Sequence, residues 1–148
     1  MELKKWNRIS TELKFKNGWW SYKVDKYTLP DGSEGEYHYA FTHGSVFIIP
    51  VTAEGKIILV KHYRYLNVRF SIEFPGGGVK SENDHDKQAE KELIEETGFT
   101  GELTYAGMFN PYNGVTNEIC KVYIARNLKA SSAYKKDNSE EFIIYELT

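Results

Sequence analysis

A chain of 148 residues accommodates one domain with one core, and 41% apolar with 27% charged residues is ordinary for a soluble globular protein. The formal net charge of −2 argues against bulk attraction to nucleic acid. The single cysteine, Cys120, excludes an intrachain disulfide and a Cys-rich zinc site, and its place in an apolar run makes it a buried structural thiol.

Residues 1–16 are polar and charged, unlike a signal peptide, and no apolar run approaches the ~18 residues of a membrane span. No membrane association and a cytoplasmic setting are therefore expected. Residues 19–27 alternate as a strand, Leu29-Pro30-Asp31-Gly32 turns the chain, and 36–42 returns it, so 1–44 forms an N-terminal hairpin. Residues 46–51 and 56–64, joined by a turn at 53–55, are the central buried strands. A short strand at 71–74 enters Pro75-Gly76-Gly77-Gly78, which reads as a glycine loop. Residues 84–97 form the one clear helix, with Asn83 or Asp84 capping its start and Gly98 stopping it. Strands follow at 101–109 and 118–126, then a polar loop at 127–139 and a last strand at 142–147. The fold class is α+β, with a mixed, mostly antiparallel sheet. With 15% aromatic residues, a β-rich core is preferred to flat ligand-stacking surfaces, and Trp19, Trp20 and Tyr22 are assigned to that core ahead of a stacking role.

The helix is unusually acidic. At about 100° per residue, Glu95 lies about 60° to one side of Glu92 and Glu96 about 40° to the other, so the carboxylates share one arc. Like charges at i and i+4 near the negative end of the helix dipole destabilise a helix by a few tenths of a kcal/mol. Bound Mg²⁺ or Mn²⁺ would remove that conflict, because hard cations take carboxylate oxygens. For the three residues alone, a solvated acidic face is the favoured reading. Glycines at 76–78, which let backbone N–H groups approach a ligand, make the combination more specific.

Together these residues resemble the Nudix signature: Gly, five residues, Glu, seven residues, then Arg-Glu-aliphatic-any-Glu-Glu-any-Gly-aliphatic. The match is ungapped at Gly77, Glu92, Leu93, Glu95, Glu96 and Gly98, with Phe99 closing it. Asn83 stands where the signature has its first Glu, and Lys91 where it has Arg. Asn83 brings no charge, and Lys91 cannot make a planar two-pronged contact. The resemblance extends over about residues 19–147 to the branch acting on ADP-ribose and related nucleoside diphosphate sugars, through His62-Tyr63-Arg64, Glu73-Phe74-Pro75-Gly76-Gly77 and the loop from Asn110 to Glu118.

That resemblance implies a single Nudix domain over 1–148, an α/β/α sandwich whose usual C-terminal helix is missing before Thr148. It implies metal ligation by Glu92 and Glu96 with help from Glu95 and the Gly76 backbone, and carboxylate orientation by Lys91. Glu118 is implied as general base, and Arg64, Glu73, Gly77 and Trp20 as substrate contacts. The implied cofactor is Mg²⁺ or Mn²⁺, the implied substrate a nucleoside diphosphate derivative, and the implied assembly a homodimer using the N-terminal hairpin. Two alternatives stay open: another dinucleotide or nucleoside triphosphate as substrate, and a Nudix-fold binding module with impaired chemistry, motivated by Asn83 and Lys91.

Overall fold

The structure, a computed structural model, describes residues 3–80, 84–133 and 143–147. Chain order is β1 (Asn7–Lys16), β2 (Ser21–Thr28), β3 (Glu34–Phe41), β4 (Ser45–Pro50), β5 (Ile57–Arg64), β6 (Arg69–Glu73), β7 (Gly76–Gly78), α1 (His85–Thr97), β8 (Phe99–Phe109), β9 (Cys120–Ala130) and β10 (Ile143–Leu147). The strands form three sheets, ordered β1-β2-β3, β10-β5-β6 and β7-β4-β9-β8. All pairings are antiparallel except β4 with β9, which is parallel. The α+β class with one α-helix among the described residues is as expected.

The core lies between α1 and the third sheet. Val46 and Ile48 from β4 and Tyr123 and Ala125 from β9 meet Val79, Ala89 and Leu93. On α1 the buried positions Ala89, Leu93, Glu96 and Thr97 follow i, i+4, i+7 and i+8, one helical stripe. Each fully buried Ile or Leu stabilises by about 1.5–3 kcal/mol. On β5, Ile58 and Val60 are buried on one face. Strand alternation continues that face to His62 and Arg64, so the row leaves the core at the charged end of the strand.

Several expectations are corrected. The N-terminal hairpin is a three-stranded sheet, because residues 7–16 pair with β2. The glycine run is strand β7, with Gly76, Gly77 and Gly78 paired to Phe47, Val46 and Ser45. The polar loop begins later than expected: β8 starts at Phe99 and supplies partners that carry β9 to Ala130. Asn127 sits at that ladder's irregularity with φ 53°, a left-handed conformation that Asn tolerates. Residues 134–139 of that loop, and Phe142, lie outside the described residues. Asp84 occupies the N-cap position without a side-chain capping bond, since its φ −110° and ψ 17° are not the extended geometry a cap requires. Gly98 does stop the helix, at φ 74° with its N–H on the Ile94 carbonyl. Aromatic residues serve the core less than expected: most large rings are on the surface, and the core is mainly aliphatic, with the ring of Tyr123 buried among it.

Candidate active site

One cavity of about 1180 Å³ is bounded by the β1–β2 turn, the end of β3, β7 with α1, and the loop between β8 and β9. Lys91, Glu92, Glu95 and Glu96 line it from α1, and Gly76 and Gly77 from β7. Arg64 enters from the end of β5, Trp20 from the N-terminal turn and Glu118 from the loop. Of the site residues expected from sequence, Glu73 alone is not on its wall. Asn83 lies outside the described residues.

The three carboxylates are not equivalent. Glu96 continues the buried stripe and is only 8% exposed. Its Oε2 accepts the Gly76 N–H at 2.9 Å. An ionisable residue at a core position needs compensation, and it is the feature here that packing alone does not explain. Glu92 is half-buried, and its Oε1 accepts a hydrogen bond from Gln88 Nε2 at 2.6 Å. Gln88 was not singled out by sequence, although its i, i+4 spacing from Glu92 was available. A Cβ at Gly77 would overlap the Glu92 carboxylate, and one at Gly76 would overlap the Val46 carbonyl, so glycine here permits strand pairing and close approach of the helix. Glu95 is exposed and forms an ion pair with Lys91 at 3.1 Å. Lys91 is thus paired with the exposed carboxylate of the three.

Among the described residues, no three His, Cys, Asp or Glu side chains come together as a metal-holding group. The donor set nevertheless fits a hard divalent cation. Glu92 and Glu96, one helical turn apart, present carboxylate oxygens to the same cavity, with water able to complete the shell. Glu95 would have to leave Lys91 to join them.

Trp19 and Trp20 are 84% and 42% exposed, which corrects their assignment to the core. Asn17 Oδ1 accepts both of their N–H groups at 2.8 Å, a tight turn that holds the indoles at the cavity. Tyr22 is half-buried, and its hydroxyl meets His38 Nδ1 at 2.7 Å. Cys120 is buried as expected, and burial raises its thiol pKa.

Glu73 holds the cationic wall in place. Arg64 donates to it through Nε at 3.0 Å and Nη2 at 2.5 Å, and His62 Nε2 lies 3.3 Å from Oε2. The Arg64 fork is the main reason the Glu73 carboxyl is pulled from its ordinary 4.5 down to about 2, with hydrogen bonds from Ser71 and His62 assisting. A depressed folded-state pKa contributes stability that is present above the unfolded pKa and lost as pH falls through the folded one. The stability gap between wild type and Glu73→Gln should thus be constant above about pH 5 and shrink between 4.5 and about 2, as read by urea unfolding across pH. A gap independent of pH would refute this.

The NUDIX domain family profile matches residues 41–146. The chain is 32% identical over 121 residues to the ADP-ribose pyrophosphatase of Bacillus subtilis (strain 168), covering 81% of this chain. It spans 65% of that relative's own length, just under two thirds. It is also 32% identical over 142 residues to the methanol dehydrogenase activator of Bacillus methanolicus, covering 95% of this chain and 77% of the relative. A solved structure described as an ADP compounds hydrolase superposes with a TM-score of 0.79 at 17% identity, over 99% of this chain and 80% of that one. That likeness concerns the fold.

Proposed function

The chain belongs to the Nudix family, and from that premise we propose that it hydrolyses the P–O–P bridge of a nucleoside diphosphate sugar, with ADP-ribose the leading substrate. The products are a nucleoside monophosphate and a sugar phosphate. The observation that carries this reading is the buried Glu96 carboxylate, set in a core stripe beside Glu92 and opening on the cavity that Glu118, Arg64 and the tryptophan turn also line. The likeness to the Bacillus subtilis ADP-ribose pyrophosphatase supports the choice of substrate.

In this reading Glu92 and Glu96 hold Mg²⁺ or Mn²⁺, whose chemistry when bound is neutralisation of charge on the phosphate oxygens. Arg64, fixed by Glu73, faces the diphosphate or the terminal sugar. The Trp20 indole, with Trp19, stacks on the base. Glu118 takes a proton from a water as the water oxygen forms a bond to phosphorus. The bridging P–O bond breaks, and its electron pair leaves with the departing phosphate.

Further parts of the proposal are one domain over 1–148, a cytoplasmic setting that suits the free thiol of Cys120, and a homodimer through the N-terminal sheet. Every residue of β1 is exposed, Ile9, Leu13 and Phe15 included, apolar surface that a second copy would cover. Light scattering should give twice 17.1 kDa; a monodisperse monomer mass overturns the dimer.

A second reading, favoured by the likeness to the methanol dehydrogenase activator, is a Nudix-fold module that binds a nucleotide and regulates another enzyme. One screen separates the two. Nucleoside diphosphate sugars, dinucleotides and nucleoside triphosphates are incubated with Mg²⁺ or Mn²⁺, and phosphate is measured after phosphatase treatment. ADP-ribose should give the highest kcat/KM. Turnover no greater than that of Glu96→Gln on every compound would refute the hydrolase reading.

A further inference from the structure

The loop that carries Glu118 is fastened to the N-terminal sheet through the residue before it. Asn117 Oδ1 accepts the Thr42 N–H at 2.9 Å, and Asn117 Nδ2 donates to the Thr42 carbonyl at 3.0 Å. One side chain thereby satisfies both backbone groups of a residue 75 positions away, as a strand rung would. The attachment continues along the loop. The Ala40 N–H donates to the Val115 carbonyl at 2.9 Å, Ala40 and Thr116 form a parallel bridge, and the Tyr37 hydroxyl donates to the Gly114 carbonyl at 3.1 Å. Glu118 itself is held on both sides. Its N–H donates to Thr116 Oγ1 at 3.1 Å, and its carbonyl accepts from Asn110 Nδ2 at 2.8 Å.

The same sheet presents the tryptophans. Ser21 pairs with Phe41, so Trp20 and Thr42 are the positions just beyond that rung. From that rung the chain leads on one strand to Trp20 and on the other to Thr42, which Asn117 joins to the segment carrying Glu118. We propose that Asn117 is a positioning residue: it fixes the reach of the Glu118 carboxylate into the cavity and ties that reach to the sheet bearing the Trp19–Trp20 turn. This rests on Glu118 being the base in the proposed hydrolysis. Nucleobase binding and proton removal then share one rigid unit, so contacts to the nucleobase are used to align Glu118.

Asn117 is exposed, and the Thr42 groups it would release are near solvent, so its loss has a small effect on folding. Misplacing a reacting group by about 1 Å costs on the order of 10²-fold in rate. The test measures kcat and KM for ADP-ribose with Mg²⁺ in wild type, Asn117→Ala, Glu118→Gln and the double variant. Asn117→Ala should lower kcat on the order of 10²-fold with KM within about twofold. In the Glu118→Gln background the same change should have almost no effect, because the group it positions is gone. An equal loss in both backgrounds, or none in either, overturns the positioning role while leaving the hydrolase reading intact. A wild type that turns over no phosphoanhydride overturns both.

Discussion

Glu118→Gln should lower kcat for the preferred substrate about 10²–10⁴-fold, the range of a positioned general base, and leave KM close to wild type. The substitution keeps the shape of the side chain and removes only its capacity to take a proton. The bonds that position the residue all use its backbone, since the N–H goes to Thr116 and the carbonyl receives Asn110. The loop conformation should therefore survive the change. Glu95, an exposed carboxylate on the cavity wall, is engaged by Lys91 at 3.1 Å and is the weaker candidate for this step. A loss of less than about tenfold would assign the base elsewhere.

The sequence revealed local features and left their relative placement open. Alternation located β2, turn residues and an apolar run located β3 to β5, and the Gly98 stop located the end of α1, because these signals lie within a few residues. The helical arithmetic placed Glu92, Glu95 and Glu96 on one arc, which is correct as relative geometry. It carried no information about which edge of the arc meets the core. That edge is Glu96, because Ala89 and Leu93 set the stripe and Glu96 continues it. Strand β1 was passed over because charged residues interleave with Ile9, Leu13 and Phe15, although that spacing has the period of two seen in strands. The exposure of Trp19 and Trp20 depends on a turn closed by the Asn17 side chain, and ring content alone favours burial. The Asn117 attachment joins segments 75 residues apart, and no local pattern encodes it.

Glu96→Gln should separate stability from activity, which an ordinary core residue cannot do. The amide keeps an oxygen for the Gly76 N–H and keeps the volume of the side chain. It removes a negative charge from a buried position, and with it the desolvation cost of that charge. Without added metal, the variant should therefore melt at or above the wild-type temperature. Its response to metal should differ sharply. A cation bound only by the folded state stabilises wild type by about 2.7 kcal/mol at a hundred times its Kd, and the variant should show little of that gain. Activity should fall at least 10²-fold, since charge neutralisation at the phosphate is worth several kcal/mol. Glu95→Gln, which disturbs only an exposed ion pair with Lys91, should cost about tenfold or less. A Glu96→Gln protein with wild-type metal stabilisation would remove Glu96 from the metal site. Its buried carboxylate would then be a structural link between α1 and β7, and the acidic arc would reduce to Glu92 and the solvated Glu95.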